Sequence, residues 1–209
     1  LTALTTGAGN TAVGYQASST LTTASNNTAL GYAASAIGGQ SIAIGADALA
    51  NNTRSIVIGH DARAYTYDII AIGDEAGPRN NSGNPASSVW IGRKSGNSNT
   101  GNGNGYNVGV GHQAGRLNNS NSNIFIGDAT GYHGGQGGNT WIGRGAGSTS
   151  GNTSVVAQSV AIGNGARSGN AVGNISVGYQ AGGSAATSAF TAVGYQALTA
   201  LTTGASNTA

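Results

Sequence analysis

The sequence predicts an all-β fold, a parallel β-roll of about twelve coils of 14 to 20 residues each. Three observations carry that expectation. A short motif returns twelve times in phase, one glycine holds the same place in every copy, and the residues before that glycine are apolar on alternate faces. The motif is a small polar residue, two apolar or β-branched residues flanking a usually small one, the glycine, two variable residues and an alanine.

In chain order the copies read TAVGYQA (11–17), TALGYAA (28–34), SIAIGADA (41–48), SIVIGHDA (55–62), IIAIGDEA (69–76) and SVWIGRKS (88–95). They continue as NVGVGHQA (107–114), NIFIGDAT (123–130), NTWIGRGA (139–146), SVAIGNGA (159–166), NISVGYQA (174–181) and FTAVGYQA (190–197). The anchoring glycines are Gly14, Gly31, Gly45, Gly59, Gly73, Gly92, Gly111, Gly127, Gly143, Gly163, Gly178 and Gly194. Each unit is too short to bury an apolar face alone, so the copies must stack on one another.

Three consecutive 14-residue intervals suit two strands of about five residues joined by two tight turns, which makes one repeat one turn of a flat roll. Longer intervals place their extra residues between the alanine and the next strand, at 78–85, 96–106 and 148–158. Their Gly, Asn and Ser content predicts surface loops, and the region 77–158 is expected to be the irregular part of the roll.

Alternation assigns faces within the first strand. Three and one residues before the glycine stand Thr, Ile, Val or Leu in every copy, and that face reads as buried. Two residues before it stand mostly Ala, but also Trp90, Phe125 and Trp141. A strand apolar on both faces is covered on both, and a second copy of the chain is the simplest cover. The three aromatics overfill a roll about 10 Å thick, so they are expected at the oligomer interface, with Gly109 leaving room for a ring. The second strand, alternating small and polar residues, reads as a wall with one wet side.

Composition narrows the function. Only 7% of the chain is charged and 38 of its 209 residues are glycine, unlike an ordinary globular surface. The phased Ile, Val and Thr argue against disorder. Eight basic residues spread along the chain form no patch for phosphates, so no nucleic-acid partner is expected. No apolar run is long enough to insert this segment in a membrane. With no Met, and with LTALTTGAGNTA (1–12) returning as LTALTTGASNTA (198–209), the chain reads as a single repeat segment, 1–209, of a longer fibre.

The strings SIAIG, SIVIG and SVAIG, each followed three residues later by Ala, resemble the head repeat of trimeric autotransporter adhesins (YadA-like heads). The NTAVGYQA-type copies with TTG between them also resemble bacteriophage tail-fibre repeats. The resemblance implies a left-handed parallel β-solenoid, three chains around an axis, and an extracellular attachment fibre on a cell surface or virion.

Chemistry-bearing residues are few. Residues at equal repeat positions form columns about 4.8 Å apart. The column after the glycine runs Tyr15, Tyr32, Ala46, His60, Asp74, Arg93, His112, Asp128, Arg144, Asn164, Tyr179, Tyr195. Opposite charges there are expected to pair, Asp74 with Arg93 and Asp128 with Arg144. Tyr15, Tyr32, Tyr179 and Tyr195 form either a stacking ladder or a platform for a sugar. Asp47, Asp61, Asp74 and Glu75 make a weak candidate for a hard cation such as Ca2+, with Arg54, Arg63 and Arg79 the simpler neutralisation. No nucleophile–base pair or phosphate loop is legible, so neither catalysis nor a cofactor is expected. Two functions remain: a trimeric adhesin head or tail-fibre shaft that engages a cell-surface glycan or matrix receptor, or a purely structural tandem-repeat filament.

Overall fold

In a computed structural model, the described residues are 6–79, 87–97, 105–118, 120–132, 136–147, 157–169, 171–183, 189–201 and 206–209. They form sixteen short strands and no helix. These are β1 (Thr11–Val13), β2 (Thr28–Leu30), β3 (Ser35–Ala36), β4 (Ile42–Ile44), β5 (Leu49–Ala50), β6 (Ile56–Ile58), β7 (Arg63–Ala64) and β8 (Ile69–Ile72). There follow β9 (Ser88–Ile91), β10 (Val108–Val110), β11 (Ile124–Ile126), β12 (Thr140–Ile142), β13 (Val160–Ile162), β14 (Ile175–Val177), β15 (Phe190–Val193) and β16 (Asn207–Thr208). Thirteen of them stack in one parallel sheet, and β3, β5 and β7 form a second of three strands. The fold is a parallel β-solenoid of about ten turns.

Register follows the motif, with Thr11 on Thr28, Ile42 on Ile56, Val108 on Ile124 and Ile175 on Thr191. The main ladder passes without a break from β8 through β13, so the expected irregularity between 77 and 158 does not reach it. Most of the insertions at 78–85, 96–106 and 148–158 lie outside the described residues. Their described margins are not all surface: Gly96, Asn97 and Gly105 are buried, and Asn97 Nδ2 donates to the Glu75 carbonyl at 2.7 Å.

The strands are two to four residues long, shorter than the five expected, because each coil has two corners of left-handed backbone. One corner begins at the anchoring glycine, at φ between +125° and +140°, and continues two residues later with φ near +50° at Gln16, Asp47, Asp61 and Glu75. The other lies five residues before the glycine, at Asn26, Gln40, Arg54 and Asp68. Only the four residues between the corners can run straight. At the first corner the glycines of successive coils lie so close that a Cβ on one would strike the backbone of the next, as Gly111 would at Gly127. A glycine column is therefore required for two reasons at once, the dihedral and the approach.

A polar column precedes each strand. Asn10, Asn27, Ser41, Ser55, Asn107, Asn123 and Asn139 use a side-chain oxygen to accept the backbone N–H of the residue stacked on them, at 3.0 to 3.4 Å. This explains why the motif begins with a small polar residue. Its oxygen satisfies the one strand-entry donor that the ladder leaves over.

Inside the roll the residue two before the glycine faces the alanine three after it. Ala43 and Ala48, Val57 and Ala62, and Ala71 and Ala76 are all fully buried. The outward faces are the other two columns, such as Ile124 and Ile126, each 39% exposed. This reverses the expected assignment. In the single chain the β-branched face is outside and the small-residue face is the core, because two alanine columns are what a roll this thin can enclose.

The same geometry corrects the placement of Trp90, Phe125 and Trp141. They are 0%, 0% and 2% exposed and lie inside the roll, not on a face toward partner chains. Space for them comes from glycines. A Cβ on Gly109 or Gly96 would enter the Trp90 ring, one on Gly115 would come within 2.6 Å of Phe125, and one on Gly147 would enter Trp141. Gly96, Gly115, Gly131 and Gly147 follow the motif at φ +60° to +66°, where three other coils carry Ser35, Leu49 or Arg63 in strand. The backbone turns aside there, which leaves room for the ring, as it also does at Ser18, Gly77 and Leu198 in coils with Ala12, Ala71 and Ala192. Trp141 Nε1 donates to Ser159 Oγ at 3.0 Å, so its buried N–H is satisfied by the polar column.

Candidate functional site

The surface that sets this molecule apart is the outward face of the main sheet. The column three before the glycine (Thr11, Ile42, Ile56, Val108, Ile175 among others) and the column one before it (Val13, Leu30, Ile91, Ile126, Val193) all point outward, half-exposed or exposed. Every second residue of a strand faces one way, so no member of either column can turn inward without shifting the whole register. Thirteen strands at ~4.8 Å make a face about 58 Å long and, with two columns of side chains, about 12 Å wide, or roughly 700 Å2. The largest apolar patch on a soluble monomer is about 300–600 Å2, whereas a stable protein interface covers about 800 Å2 on each partner.

Along one margin of this face runs the column that follows the glycine. Tyr15 and Tyr32 stack with ring centroids 5.5 Å apart and planes at 18°, and Tyr179 and Tyr195 stack at 5.3 Å and 12°. The four candidate ligand residues are thus two stacked pairs near opposite ends of the ladder, each pair using one ring face of each member on the other. Between them the column is ionic. Asp74 contacts His60 Nδ1 at 2.9 Å and Arg93 Nε at 3.4 Å, and Asp128 contacts His112 Nδ1 at 2.8 Å. The expected pairing of Asp74 with Arg93 is present. Asp128 pairs with His112 and not with Arg144, although both stand on rungs next to its own.

His60 and Asp74 perturb each other. The hydrogen bond that His60 donates to Asp74 raises the imidazole above its ordinary value, and the same bond lowers the Asp74 carboxyl. A raised histidine stabilises the fold below its ordinary pKa of about 6.5, and that contribution is lost as pH rises through the folded value. A depressed carboxyl stabilises above about 3.9, lost as pH falls through its folded value. The contact therefore acts between about pH 4 and pH 6.5 and fades above. We predict that His60 titrates above its ordinary value by NMR and returns to it in Asp74→Asn. An unchanged His60 titration in that variant would show that the pair does not form.

Of the acidic candidates for a cation, Asp61, Asp74 and Glu75 are engaged by basic side chains, while Asp47 lies at the left-handed corner two residues after Gly45, at φ +56°. Asp61 contacts Arg63 at 2.6 Å and Arg79 at 2.5 Å, and Glu75 contacts Arg79 and Lys94, each at 3.4 Å. Partial burial works to raise the Asp61 carboxyl, but the hydrogen bonds from Arg79 and Arg63 outweigh it and hold Asp61 below the usual carboxylate range. Arg54 pairs instead with Asp68, through Nε at 2.6 Å and a second nitrogen at 3.0 Å. Among the described residues, no three acids or histidines converge as a metal site would require.

Two groups escape a reading of the sequence alone. One is the outward Ile and Val face, which reads there as the roll's own core. Its signal is size, since Ile and Val are too large to oppose a buried Ala column across so thin a roll. The other is the set of glycines at 96, 115, 131 and 147, each four residues after an anchoring glycine and each lying against a Trp or Phe ring, a place that Gly77 also holds beside Ala71. No protein-family model matches the chain, and no curated protein matches it.

Proposed function

We propose that the chain is a non-enzymatic segment of an extracellular fibre, a trimeric adhesin head or a phage tail-fibre shaft. Three copies of a left-handed solenoid of about twelve coils pack around a common axis and hold a binding element at, or away from, a cell surface. The observation that supports this reading is the outward apolar ladder. It is continuous and rigidly spaced, in a chain whose described interior is already filled by alanine and aromatic side chains. At ~25 cal/mol per Å2, covering roughly 700 Å2 on each chain is worth of order 15 kcal/mol before the costs of association. The exposed tyrosine stacks offer their remaining ring faces to a glycan.

Sedimentation of the purified chain is expected to give about three times its mass of 20.2 kDa. The paired variant Ile124→Glu, Ile126→Glu should reduce that mass to one chain while keeping the β-sheet circular dichroism. A folded monomer from the unsubstituted chain would overturn the reading. A second reading, a structural filament without a receptor, is favoured by the match between the two ends of the ladder.

A further inference from the structure

The column that follows the anchoring glycine has one gap. Its residue is large or polar in every coil but one, where Ala46 stands between Tyr32 and His60. Backbone bonds hold these three on consecutive rungs: the Asp47 N–H donates to the Tyr32 carbonyl and the Asp61 N–H to the Ala46 carbonyl, both at 2.9 Å. Tyr32 and His60 therefore stand two rungs apart, ~9.6 Å, with a single methyl group between them.

Elsewhere in the column rings fill successive rungs. Tyr15 stacks on Tyr32 at 5.5 Å and Tyr179 on Tyr195 at 5.3 Å, so one rung of the ladder is about one stacking distance. Tyr15 covers one face of Tyr32 and orients its ring. The other face looks over Ala46, and Tyr32 remains 57% exposed. A ligand ring placed over Ala46 meets Tyr32 at the spacing the column already uses.

Two polar groups border the same gap. Asp47, beside Ala46, is exposed, and among the described residues no hydrogen bond or ion pair engages its carboxylate. It is close enough to His60 that, after the hydrogen bond to Asp74, its charge is among those that raise the imidazole. His60 commits Nδ1 to Asp74, on the side away from Ala46, at 2.9 Å, which leaves Nε2 for a ligand. An open ring face beside a carboxylate suits a pyranose, whose C–H face lies on the ring while its hydroxyls donate to the acid. An arene offers that carboxylate no donor, and an acidic sugar meets it as a like charge. The Tyr179–Tyr195 stack lacks these features, because the coil before Tyr179 carries Asn164 in place of Ala46 and Gly165 in place of Asp47.

We propose that the gap between Tyr32 and His60 is a glycan subsite for one neutral pyranose ring, stacked on Tyr32 over Ala46, with vicinal hydroxyls donating to Asp47 and a further hydroxyl hydrogen-bonded to His60 Nε2. The ligand class rests on the attachment function proposed above, but the subsite is built within one chain and does not need three.

The purified chain is applied to an array of immobilised neutral and sialylated oligosaccharides, beside Ala46→Tyr, Asp47→Asn and Asn164→Tyr. The unsubstituted chain is expected to bind neutral oligosaccharides. Ala46→Tyr fills the gap by extending the stack, and Asp47→Asn removes the acceptor charge without changing volume; each should keep the β-sheet circular dichroism and weaken binding by about tenfold or more. Asn164→Tyr covers the outer face of Tyr179 in the same way and should leave binding unchanged. Undiminished binding by Ala46→Tyr or Asp47→Asn, a preference for sialylated ligands, or no binding by the unsubstituted chain would overturn the subsite. A loss of trimer mass in Ala46→Tyr would also overturn it, since a neighbouring chain would then occupy the gap. Binding lost only in Asn164→Tyr would move the glycan to the Tyr179 stack, so the subsite fails while the attachment reading stands. That reading fails separately, on a monomeric mass in sedimentation.

Discussion

Replacing Trp141 by Ala is expected to destabilise each chain by about 3–5 kcal/mol, the usual cost of emptying a filled core site. The ring lies inside the coil, with Gly147 against it and Phe125 at a centroid distance of 5.4 Å. The loss should appear in chemical denaturation at every protein concentration, because the contact is within one chain. An interface ring would instead give a loss that depends on concentration. Iodide should leave both tryptophans unquenched in the folded protein. Free quenching, or a stability change under about 1 kcal/mol, would contradict the interior placement.

Gly111→Ala should be more damaging still, costing more than about 4 kcal/mol and abolishing soluble folded protein, for two reasons that add. The residue sits at φ +136°, and a Cβ there would be driven into the carbonyl of Gly127 on the next coil. Gly145→Ala is the control. It also has positive φ, +64°, but a Cβ would meet nothing within 4 Å, so it should cost only the ~1–2 kcal/mol of a left-handed residue. Denaturation midpoints of the two variants separate crowding from dihedral strain. Equal losses would mean that the glycine column is kept in phase for its backbone angle alone.

The contrast between those glycines shows what can be read from sequence and what cannot. The anchoring column is legible because a repeated requirement leaves a repeated residue, and Gly45, Gly59 and Gly73 at intervals of 14 leave little else to explain. Parallel stacking and register follow from the same phase. The inside and outside of the strand are not legible from hydrophobicity, since Ala43 and Ile44 are both apolar and periodicity cannot say which face is enclosed. Volume decides that question, and it depends on the distance to the opposite wall, set by Ala48 three residues beyond the glycine. The aromatics are misplaced for the same reason. Their fit depends on Gly96, Gly115, Gly131 and Gly147 in the return path, a correlation between positions that the motif alone does not display. Charge pairing is half legible. Asp74 meets Arg93 as expected, but the histidines also join the column, and His112 engages Asp128 in place of Arg144.

The parallel ladder has a mechanical meaning as well. Its interstrand hydrogen bonds lie along the solenoid axis, so a pull on the two ends loads them one coil at a time and does not shear a whole sheet at once. Each coil that opens gives up about 4.8 Å of height and releases 14 to 20 residues of chain, roughly 46 to 72 Å when extended at ~3.3–3.6 Å per residue. A tether made this way lengthens about tenfold or more by peeling from its end, at a force set by one rung and not by the number of rungs, while the unopened remainder keeps its register and can wind the slack back in.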